Sequence, residues 1–107
     1  MIGNLDSHDR LCRRLANEAR LCVVAVDYRL APEHPFPAAV EDSLAALRWV
    51  SSAASPLVIQ KDRIAVGGDS AGGNLAAGLV LMILQSASNP RRWHGEQTLP
   101  PPDCVLL

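Results

Sequence analysis

Apolar residues in this chain fall into stripes at helical spacing or into short unbroken runs, and the two kinds alternate. Leu11, Cys12, Leu15 and Ala19 return at the spacing of one helix face. Asp6 and Asp9 stand where an N-cap and a first-turn carboxylate belong. A helix is predicted over 7–19, with Arg10, Arg13 and Arg14 turned to water. LCVVAVDY follows, six apolar residues with a polar end, which predicts a parallel strand over 21–28 buried on both faces. Cys22, inside that run, reads as a small core residue.

RLAPEHPFP carries three prolines and can continue neither a ladder nor a helix, so it is predicted to be an ordered loop. Pro37 suits the first position of a second helix, with Glu41 and Asp42 near its positive end. Val40, Leu44, Leu47 and Val50 form its apolar stripe, and it is expected to run to about residue 53, with Trp49 as a core residue. RIAVGG predicts a short strand over 63–67. NLAAGLVLMILQ is apolar around nearly its whole circumference, the pattern of a helix enclosed by other elements. A polar, proline-rich stretch then leads to DCVLL, the start of another buried strand. Helix, strand, helix, strand, helix, strand predicts an α/β fold, a parallel sheet with helices on both faces. The order opens without a strand and closes inside one, so the chain is expected to be a piece of a larger fold, cut at both ends.

Between the second strand and the third helix lies VGGDSAGGN, one serine amid four glycines. Gly68-Asp69-Ser70-Ala71-Gly72 fits G-x-S-x-G, a strand-to-helix turn that holds a serine on a strained backbone with its hydroxyl exposed. Glycine at either flank is expected because a side chain there would collide with the approaching strand and helix. A phosphate cradle is the rival reading, since helix N-termini bind anions. It lacks the lysine of G-x-x-x-x-G-K-[ST], G-x-G-x-x-G fails at Asp69, and a carboxylate in the loop would repel phosphate. The plainest reading is a tight turn that serves helix–sheet packing alone.

An acyl-transfer serine needs a histidine base oriented by a carboxylate, and N–H groups for the oxyanion. The histidines are His8, His34 and His94, and the aspartate after Ser70 is Asp103. His8 and His34 read as local hydrogen-bonding or packing groups, and His94 as an exposed loop side chain.

The chain has 107 residues, the size of one domain. A hydrophobic share of 49% against 20% charged residues is that of a globular chain with a core. The net charge of -1 gathers neither nucleic acid nor anionic membrane. Arg91 and Arg92 beside Trp93 read as solvated loop charges. Cys12, Cys22 and Cys104 show no C-x-x-C spacing, and an odd number argues against a disulfide framework. Neither metal nor cofactor is implied. The first residues lack a signal-peptide pattern, and the apolar segment at 71–84 falls short of the roughly 20 residues of a membrane helix. A reduced, cytoplasmic setting is expected.

DYRLAPEHPFPAAVEDSLAALRWV followed by RIAVGGDSAGGNLAA closely resembles the hormonesensitive-lipase-like branch of the α/β-hydrolases, esterases of the α/β-hydrolase fold-3 type. The similarity covers residues 2–85 and resumes at the tail. It implies a carboxylic ester hydrolase acting on a small-molecule ester, with Ser70 as nucleophile and the Ala71 N–H in the oxyanion hole. Gly68, Asp69 and Gly72 would shape the nucleophile elbow, and Arg29 and Glu33 would be structural. The family carries an HGGG segment ahead of the residues matching IGNLDSHD, and its triad aspartate and histidine beyond the strand begun by DCVLL. The fold supplies its triad in the order serine, carboxylate, histidine, and His94 precedes Asp103. These 107 residues alone are therefore expected to be inactive. A non-catalytic ligand-binding relative and a nonfunctional gene fragment are the alternatives.

Overall fold

The computed structural model describes residues 5–52, 63–88 and 104–106. Arg91, Arg92, Trp93, His94 and Asp103 lie outside the described residues. The elements are α1 (Leu5–Ala19), α2 (Ala38–Ser51), β1 (Ala65–Gly67), α3 (Ala71–Ser88) and β2 (Cys104–Leu106).

The predicted first helix is present as α1 and begins two residues earlier, so Asp6 lies in its first turn instead of capping it. Arg13 pairs with Asp9 at 2.7 Å and Arg14 with Glu18 at 2.9 Å, the helical i,i+4 spacing that adds a few tenths of a kcal/mol per pair. None of its residues is buried, and Leu11 and Leu15 are exposed. The helix stops at Arg20, whose φ of 52° lies in the left-handed region. The Leu21 N–H donates to the Ala16 carbonyl at 3.3 Å. That 6→1 bond closes a Schellman cap, normally built on glycine.

The strand expected over 21–28 is not formed. Residues 21–30 carry no ladder, and Leu21, Val24 and Val26 are exposed. A strand is defined by its hydrogen-bonded neighbour, and no described residue forms a ladder with this run. Cys22, expected in the core, is exposed for the same reason.

The loop that follows is ordered. The His34 N–H donates to the Leu30 carbonyl at 2.9 Å, and the Ala38 N–H to Pro35 at 3.1 Å. Arg29 fastens the loop to α2, its Nη2 lying 2.9 Å from Asp42 Oδ1 while its backbone N–H donates to Asp42 Oδ2 at 2.9 Å. Pro37 caps α2, its carbonyl accepting the Glu41 N–H at 3.0 Å. At the far end Ser52 closes the helix, its N–H and hydroxyl both donating to the Trp49 carbonyl at 3.1 and 2.7 Å.

Leu44 and Leu47 of the predicted α2 stripe meet Leu79 and Ile83 of α3 in a core cluster, with Ile64 and Val66 packed against it. Leu79 and Ile83 are only 4% and 3% exposed, the most deeply enclosed of the α3 side chains described. The helix is covered on this side and open elsewhere, since Leu81 remains 58% exposed. Enclosure on all sides, expected from the sequence, is thus not seen. Trp49, also expected in the core, is exposed because it lies off the Leu44–Leu47 face.

β1 and β2 pair in parallel, with Ala65, Val66 and Gly67 opposite Cys104, Val105 and Leu106. α3 lies between them in sequence and packs on both strands, while α2 packs on α3. This is a parallel crossover in which the helix covers the sheet. Among the described residues the sheet has two parallel strands, a part of the expected α/β sheet from which the strand expected over 21–28 is missing.

Candidate active site

β1 ends at Gly67 and α3 begins at Ala71, so residues 68–70 must reverse the chain from strand to helix. The turn closes on itself, with the Gly72 N–H donating to the Asp69 carbonyl at 2.9 Å and the Asn74 N–H to the Ser70 carbonyl at 3.1 Å. Ser70 has a φ of 54°, a conformation uncommon for a residue with a Cβ and typical of strain held at functional turns. Its side chain is exposed. Among the described residues no hydrogen bond engages its hydroxyl, and none uses the Ala71 N–H, an unsatisfied donor of the first helical turn. A hydroxyl and a helix N-terminal N–H that no described residue engages can attack a carbonyl and receive the resulting oxyanion.

The two flanking glycines do different things. A Cβ on Gly68 would run into the Gly72 carbonyl group and lie 2.6 Å from the Gly73 nitrogen, so the bend is tight enough there to exclude any side chain. At Gly72 the nearest atom to such a Cβ is the Tyr28 hydroxyl at 4.0 Å, an ordinary contact. The collision expected at both flanks is confined to Gly68.

His8 stands at this site, which its reading as a local hydrogen-bonding group did not anticipate. Its Nδ1 is 3.0 Å from the Ser7 hydroxyl, the local bond expected, while its Nε2 faces the Asp69 carboxylate at 3.8 Å. The signal was the S-H-D run at the start of an amphipathic helix, and nothing in it points across to residue 69. Glu33 is exposed in the proline loop, and His34 lies close enough to Asp42 to favour its ionised form.

Arg29 holds Asp42 below the usual carboxylate range, first by side-chain hydrogen bonds and then by its backbone N–H. The side-chain bonds, and then the charge of Asp42, push the guanidinium further up. Among the described residues no three His, Cys, Asp or Glu side chains converge as metal ligands.

A parallel strand, a positive-φ serine behind an obligatory glycine and a helix packed back on the strand make up the serine-bearing turn of an α/β-hydrolase sheet. The comparison with known proteins agrees: residues 1–106 match the alpha/beta hydrolase fold family, and the chain belongs to it. It is 58% identical over 76 residues to the carboxylesterase NlhH of Mycobacterium tuberculosis, a match covering 71% of this chain and 24% of the relative. To the carboxylic ester hydrolase LipN of the same organism it is 49% identical over 98 residues, covering 91% of this chain and 25% of LipN. Among solved structures, the esterase LipW of Mycobacterium marinum superposes with a TM-score of 0.77 at 43% identity, over 98% of this chain and 30% of LipW. The chain thus spans about a quarter of the length of the curated relatives it matches.

Proposed function

We propose that this chain forms the nucleophile-bearing part of a single carboxylic ester hydrolase domain, and that Ser70 is the residue acylated. The observation that carries the reading is the Ser70 φ of 54° at a bend where Gly68 leaves no room for a Cβ. On this reading the Ser70 hydroxyl stands at the end of β1 with the Ala71 N–H, the first of α3, beside it. The names of NlhH, LipN and LipW support an ester as substrate.

In the proposed reaction the Ser70 oxygen bonds to the ester carbonyl carbon as its proton passes to a histidine base, and the carbonyl oxygen becomes an oxyanion facing the Ala71 N–H. Collapse breaks the bond to the alcohol, which leaves with the proton returned by the base. Water then repeats the sequence on the acyl-enzyme, giving the acid and free Ser70. None of the described histidines hydrogen-bonds the Ser70 hydroxyl, so the base and its carboxylate are assigned outside the described residues. No cofactor or metal is needed for these steps. A cytoplasmic setting is proposed with the function, supported by the free thiols of Cys12 and Cys22. No helix among the described residues is long and apolar enough to cross a membrane.

Treatment of the full-length protein with a fluorophosphonate tests the reading. Labelling is expected at Ser70, and Ser70→Ala is expected to abolish it and to lower short-chain ester turnover on the order of a million-fold. Labelling elsewhere, or turnover that survives the substitution, would sink the assignment. Saturable ester binding without turnover or labelling would instead identify a ligand-binding relative on the same scaffold.

A further inference from the structure

We propose that His8 is a positioning residue for the Ser70 bend and acts through the side chain of Asp69. The inference rests on the reading of Ser70 as nucleophile and extends it to α1.

Asp69 has two engagements in different directions. Its carbonyl accepts the Gly72 N–H at 2.9 Å, which makes it the residue on which the first turn of α3 closes. Its carboxylate turns toward α1 and meets His8 Nε2 at 3.8 Å. Because Asp69 immediately precedes Ser70, any rotation of its backbone is passed to the strained residue that follows. A tie on the Asp69 side chain therefore restrains the φ of Ser70 indirectly.

His8 is itself oriented. The Ser7 hydroxyl lies 3.0 Å from Nδ1, and when it donates there the ring proton resides on Nε2, facing the carboxylate. α1 buries none of its own residues, and its contact with Asp69 is a polar one. Both partners are substantially exposed, and exposed pairs contribute little to global stability. The consequence belongs in the geometry of the bend and in the rate, with little trace in the melting temperature. The contact also draws the negative charge of Asp69 toward α1. A carboxylate free to swing beside the oxyanion would oppose the charge that develops there.

The test uses the full-length protein with four variants: His8→Ala, His8→Gln, Asp69→Asn and the double variant His8→Ala/Asp69→Asn. His8→Ala is expected to lower kcat about fivefold with KM within twofold, and His8→Gln, whose amide N–H reaches the same carboxylate, to recover most of the loss. In the Asp69→Asn background, removal of His8 is expected to have no further effect. An unchanged kcat in His8→Ala, or the same loss with and without Asp69, would overturn the proposal. Amide exchange over residues 68–74 gives a second readout. It is expected to quicken severalfold in His8→Ala while exchange in α2 is unchanged, whereas a general loss of fold would quicken both and count against a positioning role. If His8→Ala does not fold, His8→Gln against Asp69→Asn/His8→Gln supplies the same comparison. Absence of both turnover and Ser70 labelling in the unsubstituted protein would refute the esterase reading, and exchange at 68–74 would then still decide whether His8 restrains the bend.

Discussion

A Cβ is the smallest object that distinguishes Gly68 from Gly72, and the bend responds to it very differently at the two positions. At Gly68 it would press on backbone, the Gly72 carbonyl and the Gly73 nitrogen, which cannot move aside as a flexible side chain would. Gly68→Ala is expected to destabilise the protein by about 1–3 kcal/mol, the usual cost of overpacking, and to slow fluorophosphonate labelling of Ser70. Gly72→Ala, with only the Tyr28 hydroxyl at 4.0 Å, is expected to fall within about 0.5 kcal/mol of the parent, as most substitutions outside special sites do. Urea denaturation of the two variants separates them, and equal effects would contradict the geometry. The sequence pattern treated both glycines alike. A G-x-S-x-G match records which residues recur, whereas the clearance around each depends on how closely α3 folds back on β1.

Helices were legible and the first strand was not, for a physical reason. The stripes of α1, α2 and α3 are local, set by residues within one or two turns of each other, and each helix lies within a few residues of its predicted span. LCVVAVDY has the composition of a buried strand, but its ladder depends on a neighbour that no stretch of its own sequence specifies. The end of α1 at Ala19 matched its predicted bound, although Arg20 occupies a left-handed position where glycine is the usual residue. Left-handed backbone costs an ordinary residue about 1–2 kcal/mol, so Arg20→Gly is expected to raise stability by up to about 1 kcal/mol, seen as a higher denaturation midpoint. The Arg29–Asp42 tie between the proline loop and α2 is sensitive to acid. Asp42 titrates below an ordinary carboxylate, so the stability it contributes is complete above the unfolded pKa of about 4 and lost as pH falls through its depressed folded value. Asp42→Asn is expected to remove that part of the acid dependence, measured as denaturation midpoints from pH 5 down to pH 2.

At the scale of the whole molecule, the proposed reaction draws on several segments of chain at once. Triad members act as a unit, and the described residues bring no base to the Ser70 hydroxyl. On the proposed reading, in which the base lies beyond them, the 107 residues by themselves are expected to hydrolyse a fluorogenic short-chain ester no faster than buffer. Turnover that Ser70→Ala abolishes would show that the base lies within them. The family was legible from two linked motifs, one in the proline loop and one at the bend, because both are runs of consecutive residues. The link from His8 to Asp69 was not, since it joins positions 61 residues apart that meet only once α1 and the bend are folded.

Parallel pairing also sets an order in time. Gly67 is matched with Leu106, 39 residues further along the chain. A ribosome making this protein must therefore extrude all of α3 and the return to β2 before the edge of β1 beside Ser70 finds its partner. Until then the serine rides on a strand whose β2-facing edge is open, so the reactive bend is among the later parts of the newborn chain to be secured on that side.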